Sequence, residues 1–92
     1  MSGISASGET PFAVRILPNP NPGTFSVELP QPAVPGMEFR INDLAGRVVL
    51  EKQTKPGLAM QSVQAEALPD GLYFLQVVLE GKVLAIEKFV KQ

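Results

Sequence analysis

An all-β fold, an immunoglobulin-like antiparallel β-sandwich of about seven strands, is predicted by three features of this chain. Apolar and polar residues alternate in short runs, most cleanly in Thr24-Phe25-Ser26-Val27-Glu28-Leu29 and Met37-Glu38-Phe39-Arg40-Ile41-Asn42; this is the period of strands wet on one face. The nine prolines and eight glycines fall largely between those runs, where many short strands need turns. No helical period extends beyond a single turn.

Taken in order, residues 1–11 are Ser/Gly/Thr-rich and bury little, so they read as a flexible linker or a cloning remnant, with the β-domain spanning residues 12–92. Phe12, Val14 and Ile16 share one parity and predict a first edge strand to about Leu17. Pro18-Asn19-Pro20-Asn21-Pro22-Gly23 then forbids helix and central strand, because three prolines fix φ and remove three backbone donors. Asn19 and Asn21 offer side-chain hydrogen bonds to nearby backbone and Gly23 accepts positive φ, so the segment is a stiff connector into the Phe25 strand. Residues 30–36, with three more prolines, carry the chain to a second sheet and the Met37 strand.

Asp43-Leu44-Ala45-Gly46 has Asp first and Gly fourth in a type I turn, with Gly46 in the left-handed region and a bulge leading into a strand over residues 47–51. Lys55-Pro56-Gly57 is a further turn, and residues 60–65 form a weak strand of poor alternation. Leu68-Pro69-Asp70-Gly71 again fits a type I turn and feeds the strand over residues 72–79, whose apolar character on both faces makes it central. Glu80-Gly81 is a two-residue hairpin turn. The returning strand, residues 82–91, has no clean parity, and a bulge is expected at Glu87-Lys88.

Several classes of function find no support. The formal net charge is −1 and no basic cluster occurs, which argues against nucleic acid and anionic membrane surfaces. No stretch approaches the roughly 18 apolar residues of a membrane span, and the first residues lack the pattern of a signal peptide, so an exported protein would carry its leader on a larger precursor. Cysteine and histidine are absent, removing disulfides, thiolate nucleophiles, Cys/His zinc sites and imidazole acid–base catalysis. Asn19, Asn21, Asp43 and Asp70 sit where turns favour Asn or Asp and lack calcium-loop spacing. Glu28, Glu38, Glu51 and Glu87 are expected on outward strand positions, as solvated charges and not as a catalytic pair. No enzyme activity, metal or cofactor is expected. Tyr73 fits either a tyrosine corner, its hydroxyl tying an arch to the backbone, or a ring packed on the sheet with its hydroxyl at the rim. Phe25, Phe39, Phe74 and Phe89 read mostly as core.

Four pieces of the chain, in this order, resemble the type A C-terminal sorting domain of type IX secretion system cargo proteins. They are the Pro18-Asn19-Pro20 segment running through Gly23 to Phe25, the Ile41-Asn42-Asp43-Leu44-Ala45-Gly46-Arg47-Val48-Val49 hairpin, the Leu68-Pro69-Asp70-Gly71-Leu72-Tyr73 arch, and the closing Lys88-Phe89-Val90-Lys91 strand. Leu17 departs from the tyrosine the family often places before Pro-Asn-Pro. The resemblance implies a non-catalytic export signal, recognised at the outer membrane by translocon proteins, commonly removed by a sortase, and joined to an N-terminal cargo domain destined for the cell surface or the medium after a periplasmic stage. It implies protein–protein recognition through Pro18, Asn19, Pro20, Gly23, Phe25, Asp43, Gly46, Gly71, Tyr73, Lys88, Phe89, Val90 and Lys91, with an exposed edge or the terminal hairpin as the handle. Val90, Lys91 and Gln92 are then expected to fray, adding little stability while offering their edge to the machinery. The competing expectation is an adhesive, carbohydrate-binding or spacer immunoglobulin-like module. Position discriminates them, because a sorting signal must close its precursor and a spacer need not.

Overall fold

The computed structural model describes residues 12–92, so the linker reading of residues 1–11 lies outside the described residues. Seven strands follow one another: β1 (Arg15–Leu17), β2 (Thr24–Glu28), β3 (Met37–Asn42), β4 (Val48–Gln53), β5 (Met60–Gln64), β6 (Gly71–Leu79) and β7 (Lys82–Lys91). They pair antiparallel in two sheets, a three-stranded one in the order β1-β2-β5 and a four-stranded one in the order β4-β3-β6-β7. The chain is thus an all-β sandwich, with β1 at an edge and β6 inside its sheet as the sequence predicts. The proline-rich residues 30–36 carry it from one sheet to the other.

Alternation decides what fills the space between the sheets. Phe25, Val27 and Leu29 from the first sheet meet Phe39, Ile41, Leu75 and Val77 from the second, all buried. Phe89 joins them, its ring centroid 4.8 Å from that of Phe25 and 5.7 Å from that of Tyr73. Three of the four phenylalanines read as core are core; Phe74, on the opposite parity of β6, is half-buried on the outer face.

The weak strand of residues 60–65 is a regular one. Its alternation is hidden because Gln61, only 3% exposed, occupies an inward position. Burying an amide is tolerated when its groups are bonded. Here Gln61 Oε1 accepts from Lys55 N (2.9 Å) and Nε2 donates to the carbonyls of Lys55 (2.9 Å) and Leu58 (2.7 Å).

The Asp43 hairpin closes as predicted. Gly46 N donates to Asp43 O at 3.0 Å, and Asp43 Oδ1 accepts from Ala45 N (2.9 Å) and Arg47 N (3.0 Å). Gly46 takes φ +87°, and the β3–β4 register slips between Ile41 and Asn42. Strand β4 starts one residue later than expected and continues to Gln53.

Three expectations change. The hydrogen bond closing a turn before β6 runs from Leu68 N to Ala65 O (3.1 Å), so closure falls on residues 65–68; among the described residues none closes 68–71, which form an arch held by the Tyr73 hydroxyl donating to the Pro69 carbonyl. Tyr73 is therefore the corner of the two alternatives. The β7 bulge falls at Leu84 and not at Glu87-Lys88: Val77 pairs with Ala85 and Val78 with Val83, leaving Leu84 over. Beyond that slip Glu87 lies opposite the buried Leu75, so it has the inward parity and is half-buried, unlike the outward, solvated glutamate expected. Its neighbours gave no hint, because the bulge inverts the parity of every residue before it relative to those after.

Two stability changes follow. Phe89→Ala removes a ring 1% exposed and should cost about 3–5 kcal/mol in denaturant unfolding. Gly46→Val meets no atom within 4 Å, so its cost, about 1–2 kcal/mol, should come from the left-handed backbone alone; an unchanged denaturation midpoint would contradict this.

Candidate recognition site

The proline link does not merely join β1 to β2. With Pro18, Pro20 and Pro22 lacking N–H groups, Asn19 and Asn21 supply the donors of the segment, and each gives one to the last strand. Asn19 Nδ2 donates to Lys88 O and Asn19 Oδ1 accepts from Val90 N, each at 3.1 Å. The side-chain amide thereby stands in for the peptide group of a neighbouring strand. Asn21 continues with its backbone, its N–H donating to Val90 O at 2.9 Å and its carbonyl accepting from Gln92 N at 2.8 Å, in a parallel bridge opposite Lys91. The Asn21 side chain is turned inward, Nδ2 donating to Pro18 O (3.1 Å) and Oδ1 accepting from Gly23 N (2.9 Å). The Leu17-Pro18 and Asn19-Pro20 peptide bonds are cis.

This corrects the expectation for the terminus. Both backbone groups of Val90 are bonded on its outer edge, and the Lys91 side chain, 12% exposed, reaches Asp70 Oδ1 at 3.1 Å. Residues 90–92 are neither a free edge nor a frayed end. The partners lie between 21 and 71 residues upstream, so no local pattern could reveal them.

Gly23 sits at the centre of this end. Its φ is +110°, its carbonyl accepts from Ala65 N at 2.7 Å, and a Cβ there would lie 2.8 Å from Glu66 Cα and 2.9 Å from Lys91 Cε. Only glycine permits so close an approach. Glu66 Oε2 accepts from the Thr24 hydroxyl at 2.7 Å; that bond, helped by its own backbone N–H and by the Lys91 charge, holds the carboxyl below its usual range. The Arg47 backbone N–H above all holds the Asp43 carboxyl low; desolvation opposes it, and the Arg47 side chain and the Ala45 N–H add to the lowering.

The predicted residues converge. Asn19 and Gly23 lie against Lys88, Val90 and Lys91, with Pro18 and Pro20 exposed on either side of Asn19, and Lys91 pairs with Gly71. Phe25, Tyr73 and Phe89 form the aromatic floor behind them. The hairpin of Asp43 and Gly46 joins from the side, since Asp43 and Arg47 share a groove of about 290 Å³ with Asp70, Gly71 and Tyr73. The local side-chain bonds of Asn21 are those the sequence predicts; what it does not show is the Asn21 backbone bridge to residues 90–92, the reach of the Asn19 amide to Lys88 and Val90, the Thr24–Glu66 bond and Asp70 as the partner of Lys91. A second Asn between prolines was the one available signal. Chemically, this end is a shaped surface of backbone, amide and compensated charge, suited to being recognised.

Among the described residues no helix is long and apolar enough to cross a membrane. A search of the curated proteins returned no match. The family model described as the secretion system C-terminal sorting domain matches residues 15–92, which covers all seven strands and each of the four motif pieces gathered at this end. The chain belongs to the family of type IX secretion C-terminal sorting domains.

Proposed function

We propose that this domain is the non-catalytic export signal of a larger precursor and that the machinery reads its folded motif end, not a bare terminal strand. Membership of the family implies recognition by the type IX secretion machinery and export across the outer membrane to the cell surface or beyond. The observation that carries the folded-end reading is the bonding of Asn19 and Asn21 to residues 88–92, which joins the first and last motif pieces into one surface. Recognition of this kind uses shape and a few placed polar groups, and the domain itself performs no reaction. A sortase then removes the domain by cutting within residues 1–11, which precede the first strand, and leaves the cargo attached to the surface or free.

The test is export of a reporter fused to the N-terminus of the whole chain, in a bacterium possessing the system. The fused reporter should leave the cell, and its retention behind the outer membrane beside a folded domain would overturn the reading. Deleting Val90, Lys91 and Gln92 should lower thermal stability and export together, because the deletion strips three backbone bonds and the Lys91–Asp70 pair. Gly23→Ala should do the same through the contacts with Glu66 and Lys91. A truncated domain that melts like the parent would show that the clasp is not structural.

A further inference from the structure

The outer face of the four-stranded sheet is more apolar than a water-facing sheet surface requires. Register sets its rows: Asn42, Phe74 and Lys88 lie side by side, and Arg40, Gln76 and Ile86 form the next row. Leu44, 69% exposed, and Ile86, 57% exposed, flank the half-buried Phe74. With Asn42 and Gln76 these three enclose a groove of about 390 Å³. An antiparallel sheet with one wet face normally places polar residues at such positions. Contiguous exposed apolar surface with a polar rim marks an interaction site. The three-stranded sheet packs on the opposite face, so no described strand covers this one.

The polar groups around the groove define what fits it. Arg40 is compensated by Glu38 and Glu51, each at 3.3 Å, and Asp43 by Arg47 at 2.8 Å. Lys88 is exposed and forms no ion pair among the described residues. The carboxylates nearest the groove, Glu38, Glu51 and Asp43, are already engaged on this face, so a second copy packed face to face by two-fold symmetry would bring Lys88 none of these free. A different chain carrying its own carboxylate is the complementary partner. At the floor of the groove, Asn42 Nδ2 donates to Gly46 O at 3.2 Å, which sets the orientation of the amide. Its Oδ1 is buried with no donor among the described residues.

We propose that this face docks a segment of the secretion machinery that places an aliphatic or aromatic side chain between Leu44, Phe74 and Ile86 and a carboxylate at Lys88. The proposal rests on the sorting reading. The Asp43 hairpin lines both this groove and the one at the motif end, so a single partner can hold the two surfaces at once.

The whole chain, fused to an exported reporter, tests this with four forms: parent, Leu44→Ser with Ile86→Thr, Lys88→Glu, and Lys88→Arg. The double substitution removes apolar surface at exposed positions and keeps a β-branched residue in the strand, so its melting temperature should match the parent while most export is lost. Lys88→Glu should lose export and Lys88→Arg should keep it. Excess unfused chain in the periplasm should compete with the parent fusion, and the double variant should not compete. Parental export of the double variant with unchanged melting overturns the docking surface. If that variant melts lower, Lys88→Glu at parental stability decides in its place. A parent that is not exported removes the sorting reading itself, a result separable from the others. A dimer, seen by sedimentation and dissolved by the double substitution, would identify a second copy as the occupant and overturn the proposal.

Discussion

The structure depends on one clasp, the pairing of Asn19 and Asn21 with the end of β7. It closes the chain between residues about seventy positions apart, and the loop entropy of such a closure grows only slowly with length. The clasp costs little more than a shorter one would, and it returns four hydrogen bonds at a sheet edge. It also fixes where Phe89 lies, and Phe89 is the ring that joins Phe25 of one sheet to Tyr73 of the other. With the strand held on both sides, by β6 and by the proline link, the aromatic floor of the motif end has a single arrangement.

The prolines are necessary to this device. A connector with free N–H groups on both sides would itself be an edge strand open to further pairing. Pro18, Pro20 and Pro22 deny those donors, so the segment can cover the edge of β7 without presenting a new one. Two charged residues on the inward parity of the same edge strand, Glu87 and Lys91, oppose strand addition in the other way natural sheets use. The domain's information for a partner then lies in a surface assembled from distant segments, consistent with four motif pieces that are unremarkable apart and contiguous when folded.

The motifs and the sheet alternation were legible because each is local. A Gly in the left-handed region four residues after Asn42, or Phe25, Val27 and Leu29 on one parity, follows from backbone sterics and the two-residue period of a strand. Tyr73 was half legible: the arch before it was visible, but choosing between a corner and a rim hydroxyl required the position of the Pro69 carbonyl. Strand β5 was obscured by Gln61, because no sequence pattern says that a loop at residues 55–58 will satisfy a buried amide. The parity of Glu87 was misread because a bulge displaced to Leu84 changes which residues face the core.

The sequence by itself determined the fold class, the order and approximate bounds of the strands, the Asp43 hairpin turn, and the residues that carry the family. All of these depend on neighbours within a few positions. Only the tertiary structure decided that residues 90–92 are held and not frayed, that Gly23 is required by Lys91 and Glu66, and that Leu44, Phe74 and Ile86 share one exposed groove. The reason is the same in each case: hydrogen-bond partners and van der Waals neighbours across a sandwich are set by strand order and register, and those follow from the packing of the whole chain, which no local window contains.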